Sequence, residues 1–123
     1  MIYLDSSVAL AHLFAEDRVL SESIWQQPLV SSEVWNRIHA RGLGRSHADA
    51  VRALIGRVAL IEMTPPVLAR ALEPFVIGVR TPDALHLASI EYIRSRMQII
   101  ELASLDEGLL AAARALAVPI YQL

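Results

Sequence analysis

Ile2-Tyr3-Leu4-Asp5-Ser6-Ser7 carries an unbroken apolar triplet straight into an acid and two hydroxyls. Three consecutive apolar residues of β-compatible shape predict a short buried strand. Ser6 or Ser7 then predicts a helix N-cap, with the helix running to about Glu16 and Val8, Ala11, Leu13 and Phe14 on its apolar side. A strand that is apolar on both faces and passes directly into a helix is the building unit of a parallel sheet covered on both sides.

The unit recurs along the chain. Leu29–Ser32, Val58–Met63, Ile99–Ala103 and Val118–Tyr121 read as further short strands. Helices are expected around Leu20–Gln27, over Glu33 to about Arg41, from a Ser46 cap to about Arg57, from Thr64-Pro65-Pro66 to near Pro74, from Thr81 to about Arg96, and from Asp106 to about Ala117. Thr81 is the expected N-cap of the clearest of these, with Pro82 in the first turn, where its missing N–H costs nothing. Strands alternating with helices predict one α/β domain over 1–123, a three-layer sandwich with a central parallel sheet and right-handed crossovers. There is no repeat, linker or low-complexity segment.

Composition narrows the chemistry. The chain has no cysteine, which excludes disulfides, thiolate zinc and a cysteine nucleophile, and fits the cytoplasm. All eleven basic residues are Arg, so Schiff-base chemistry and a P-loop lysine are excluded. The formal net charge of -2 means that any nucleic-acid binding must come from a local Arg patch. Mean hydropathy is +0.42, yet the apolar runs are too short to span a bilayer, so no membrane association is expected. The first residues lack a basic stretch followed by an apolar one, so no signal peptide is expected. The high apolarity implies either a well-filled core or an added apolar surface for a partner or a second copy.

Ligands of open parallel sheets bind beyond the carboxyl ends of the strands. Asp5 ends the first strand, Glu33 follows the second and Asp106 lies just past the fourth; Asp83 stands in the first turn of a helix, where the macrodipole favours negative charge. Each has a plainer reading: Asp5 and Asp106 as helix caps, Glu33 and Asp83 as ordinary first-turn acids. Together they read as converging carboxylates, which repel unless protonated or joined by a cation. Oxygen donors without cysteine suit a hard divalent ion, Mg²⁺ or Mn²⁺, able to activate water and neutralise a phosphodiester.

The same residues resemble a known family. Ile2-Tyr3-Leu4-Asp5-Ser6-Ser7 looks like the opening of PIN domains, and Arg80-Thr81-Pro82-Asp83-Ala84-Leu85-His86-Leu87-Ala88 closely resembles their central helix motif. Ala103-Ser104-Leu105-Asp106-Glu107-Gly108-Leu109-Leu110, with the segment through Pro119, is similar to their C-terminal segment. The size suits VapC-type toxins of toxin–antitoxin pairs. The resemblance implies a PIN-like sheet of about five strands, Mg²⁺- or Mn²⁺-dependent endoribonuclease activity, a homodimer, and a cognate VapB-type antitoxin whose C-terminal tail blocks the site. It implies Asp5, Glu33 and Asp83 as metal ligands, Asp106 as a ligand or supporting acid, and Ser6 and Ser104 as hydroxyls that support the acids or a water. One departure stands out: several residues usually separate the strand-end serine from the helix glutamate, whereas here Ser32 abuts Glu33. That is either a shortened loop or a break, which a Cα–Cα distance near 3.8 Å would distinguish.

The remaining polar residues are less specific. Arg37, Arg41 and Arg45 recur at helical spacing and could position RNA phosphates, or simply form a solvated face. Arg80 could pair with phosphate or with an acid. His86, three residues after Asp83, could orient the acid or touch RNA, but a packed core histidine is the commoner case. Trp25 and Trp35 suit packing better than base stacking. Phosphotransferases with a strand-end Asp nucleophile, such as haloacid-dehalogenase-like enzymes and receivers, depend on a Lys that this chain lacks. The other rival is a non-catalytic PIN-like binding or assembly module.

Overall fold

The computed structural model describes residues 1–14, 22–32, 48–96 and 98–123. The elements in chain order are β1 (Ile2–Leu4), α1 (Ser6–Phe14), a 3₁₀ turn (Glu22–Gln26), β2 (Leu29–Ser31), α2 (Ala48–Ile55), β3 (Val58–Leu60), α3 (Pro65–Ala71), α4 (Thr81–Ser95), β4 (Glu101–Ala103) and α5 (Glu107–Ala115). The expected helix from Glu33 to Arg41 lies outside the described residues.

All pairings are parallel, in the order β3-β2-β1-β4. Ile2 pairs with Leu29 on one side and Glu101 on the other, which makes β1 the interior strand between β2 and β4. Its three residues are fully buried, because the sheet is covered on both faces. Ile2 and Leu4 point into a core with Val8 and Ala9 of α1 and Val51 and Leu54 of α2. Tyr3 points the other way, into a core with Leu87 and Ile90 of α4 and Leu109 and Ala113 of α5. Side chains alternate across a strand, so one apolar triplet serves both layers. Full burial of each Ile or Leu contributes about 1.5–3 kcal/mol, which makes β1 the hub of the domain.

Three expectations are corrected. The sheet has four strands among the described residues, not about five. Val118–Tyr121 forms only a single parallel bridge, Ile120 to Leu102, held by Leu102 N–H donating to Pro119 O and Tyr121 N–H donating to Leu102 O, both 2.8 Å. Pro119 has no N–H with which to extend a ladder. The N-cap of α4 is Arg80, not Thr81: Arg80 is extended (φ -77°, ψ 160°), and its carbonyl accepts the first helical bond from Ala84 N–H at 2.9 Å. The sequence also overestimated β3, which stops at Leu60. Leu60 is 55% exposed, because β3 is an edge strand, covered less than β1. No helix among the described residues is long and apolar enough to cross a membrane.

Candidate functional site

The strand order turns back between β1 and β4. The chain moves from β1 outward to β2 and β3, then returns to the far side of β1 to place β4. Connections from the two strands diverge at such a point and leave a crevice at their carboxyl ends. Asp5 follows β1 there, and Ser104 and Asp106 follow β4. The edge is tied by Asp5 N–H donating to Ala103 O at 3.0 Å.

Asp5 is 5% exposed but fully provided with hydrogen bonds on one oxygen. Its Oδ2 accepts from Ser7 Oγ at 2.6 Å and from Ser104 Oγ at 2.8 Å. Each hydroxyl is itself fixed by a backbone donor: Leu105 N–H donates to Ser7 Oγ and Asp106 N–H to Ser104 Oγ, both 3.0 Å. Asp5, and not the expected Ser6 or Ser7, holds the N-cap position of α1, its carbonyl accepting from Ala9 N–H at 3.4 Å, while its side chain is bound by hydroxyls. Ser104, one of the two expected hydroxyls, reaches Asp5. The second hydroxyl comes from Ser7, the neighbour of the expected Ser6, which is buried nearby.

Oδ1 of Asp5 faces His86, whose Nε2 lies 3.6 Å away. The other ring nitrogen of His86, Nδ1, is 2.8 Å from Tyr3 Oη, which is in turn 2.6 Å from Ser32 Oγ. The Tyr3 and His86 rings meet edge-to-face at 5.7 Å. His86 is thus a buried, hydrogen-bonded core residue, and the acid within ion-pair distance of its ring is Asp5, not the Asp83 that helical spacing suggested.

Asp83 stands in the first turn of α4 and is equally buried, 6% exposed. No hydrogen bond reaches its carboxylate among the described residues. Its one ionic partner among the described residues is Arg80, whose Nε lies 3.9 Å from Oδ2. Burial pushes the Asp83 carboxyl above its usual range and the Asp106 charge pushes the same way; Arg80 and His86 oppose them, and Asp5 adds a smaller upward push. Asp106 caps α5, its Oδ1 accepting from Leu109 N–H at 3.1 Å, while its Oδ2 lies 3.8 Å from an Arg80 guanidinium nitrogen. Its plainer reading as a cap therefore holds, with one oxygen left over for the site.

Gly108 keeps the space between these two acids clear. A Cβ there would stand 3.3 Å from Asp106 Oδ1 and 3.9 Å from Asp83 Oδ2. Sequence reasoning passed over Gly108, as it did Ser7 and Tyr3. The available signal was a glycine in the first turn of an otherwise Ala/Leu-rich helix, where alanine would favour the helix more.

Three of the four expected acids thus gather at one edge. Glu33, together with Arg37 and Arg41, lies outside the described residues, as does the Ser32–Glu33 junction. Among the described residues, no three His, Asp or Glu side chains already stand close enough to hold a metal ion. The donor chemistry nevertheless fits a hard cation. Asp83 is a largely buried carboxylate with no hydrogen-bond donor among the described residues, Asp106 Oδ2 meets only the Arg80 guanidinium among them, at 3.8 Å, and Gly108 leaves room between the two acids. No family model, curated protein or solved structure matches the chain.

Proposed function

We propose that the chain is a PIN-like, metal-dependent endoribonuclease, acting as the toxin of a VapBC-type pair in the cytoplasm. The observation that carries this reading is the buried Asp83 carboxylate, without a hydrogen-bond donor among the described residues and next to Asp106 at the carboxyl edge of the sheet. A largely buried carboxylate in that position, its pKa raised by burial and by the Asp106 charge, favours a proton or a cation. Asp83, Asp106 and Asp5 would hold Mg²⁺ or Mn²⁺, with Glu33 added by the family resemblance. The ion supplies charge neutralisation at a phosphodiester and an acidified water.

The chain's own residues would do the rest. Ser7 and Ser104 hold Asp5 in one orientation, leaving Oδ1 directed to the crevice side that His86 also faces. Asp106 is held in place by Leu109 N–H. Arg80 is exposed at the rim, where a guanidinium suits an RNA phosphate. A homodimer and a VapB-type antitoxin belong to the proposal through the family resemblance.

The test is cleavage of RNA by the purified chain with added Mn²⁺ or Mg²⁺, giving 5′-phosphate and 3′-hydroxyl ends. EDTA should abolish it, and Asp83→Asn should remove it while the fold persists. One observation favours a second reading, a PIN-like binding or assembly module without catalysis: no three acids among the described residues are already drawn into a metal-holding group. A chain that stays folded, cleaves no RNA with either metal and takes up neither ion would establish that second reading.

A further inference from the structure

We propose that Arg80 is a built-in counter-ion, occupying the electrostatic position of a divalent cation between Asp83 and Asp106 and competing with that cation for the site. This rests on the metal reading above and adds a regulator to it.

Four observations carry it. First, one guanidinium straddles two carboxylates from different parts of the chain, at 3.9 Å from Asp83 Oδ2 and 3.8 Å from Asp106 Oδ2. Both separations exceed a direct hydrogen bond, so the contacts are ionic and weak. Second, the Arg80 side chain is 77% exposed, so it loses little on leaving. Exposed pairs of this kind contribute little. Third, the base of the arm is fixed while its head is free: Arg80 is the N-cap of α4, and its carbonyl accepts from Ala84 N–H at 2.9 Å.

Fourth, the helix itself opposes a cation at this place. The positive end of the α4 macrodipole lies at Arg80, where it favours Asp83 and disfavours a guanidinium. The two acids are what hold the charge there. Once a divalent ion neutralises them, the attraction disappears and the dipole repulsion remains. Arg80 then swings to the rim, while Asp83 and Asp106 keep their backbone positions at the starts of α4 and α5.

Mn²⁺ binding, followed through the paramagnetic resonance signal of the free ion, tests the competition directly in the intact chain, with Arg80→Gln compared against the unmodified protein. Removing the internal cation should tighten Mn²⁺ binding about three- to fivefold at low salt, the scale of one or two exposed ion pairs. The difference should narrow as salt screens the pair. Equal or weaker Mn²⁺ binding by Arg80→Gln, with the fold confirmed by circular dichroism, would overturn the competition while leaving the metal reading intact. If neither protein takes up Mn²⁺, the metal reading fails and the competition with it. Asp83→Asn serves as the control that locates the ion.

Discussion

Asp5 and Asp83 are buried to the same degree, 5% and 6% exposed, and live in opposite surroundings. Asp5 receives two hydroxyl hydrogen bonds on a single oxygen, each hydroxyl braced by a backbone N–H. Asp83 receives none among the described residues and is left with an ionic contact to a largely exposed arginine. Burial alone therefore says little about what a carboxylate does. Asp5 is settled: two hydroxyls fix its orientation before anything binds. Asp83 is not, and on the proposed metal reading the difference would put the site's demand for a cation on the α4 side.

Neutralising Asp83 should break this contrast most visibly. Asp83→Asn should lower metal-dependent RNA cleavage by about 10²-fold or more, the scale of losing a group that stabilises developing charge. The same variant should be more stable than the parent without metal, by on the order of 1 kcal/mol, because a buried charge without a donor is removed. Activity and melting temperature would move in opposite directions. A variant that loses both would make Asp83 a structural anion.

Stripping the support from Asp5 should have the reverse signature. Ser104→Ala removes a donor to Asp5 and the acceptor of Asp106 N–H together. It should cost about 1–2 kcal/mol of stability by thermal melting, and about tenfold in cleavage. Ser7→Ala removes a donor to Asp5 and the acceptor of Leu105 N–H, so a smaller loss of the same sign is expected. Unchanged stability in both would mean that Asp5 is not the settled partner of the pair.

Gly108→Ala sharpens the comparison by altering space without altering charge. Alanine in a helix interior gains up to about 1 kcal/mol over glycine, less in the first turn where Gly108 sits. Here its Cβ meets Asp106 Oδ1 at 3.3 Å, so the carboxylate must give way by a few tenths of an ångström. Net stability should change by less than about 0.5 kcal/mol, while Mn²⁺ affinity falls several-fold, the scale of a small steric penalty. Calorimetric melting and Mn²⁺ titration of one preparation would check both halves.

Much of this arrangement was legible in the residues. Ile2-Tyr3-Leu4 had to be a buried strand because its apolar run is continuous, and Asp5 had to sit at its carboxyl end. Asp106 followed from the same logic after Glu101–Ala103. Asp83 was placed in a first helical turn by Thr81-Pro82. Less legible was which serine reaches Asp5. Successive helical residues differ by about 100° in direction, so Ser6 and Ser7 are told apart only by how α1 leaves β1. The Tyr3 hydroxyl could not be placed either, since its partner His86 is 83 residues away. Its ring read as core, and it is core. The fifth strand failed on a local detail, the absent N–H of Pro119, against an otherwise β-like Val118–Tyr121.

The finest difference between the two acids lies in their pH dependence. Asp83 has its pKa raised in the folded chain, first by burial and then by the Asp106 charge. Between its unfolded and folded pKa values the native state binds the extra proton. Stability then falls as pH rises through that window and stays lowered above it. Below the unfolded value the penalty is absent. In metal-free buffer, melting temperatures of the parent and Asp83→Asn should therefore converge at low pH and separate as pH rises towards neutrality, with the variant higher. Bound divalent metal should erase the separation by supplying the missing cation to the parent alone. A constant difference at every pH would mean that Asp83 keeps its ordinary acidity, and that the contrast with Asp5 is one of hydrogen bonding without an electrostatic cost.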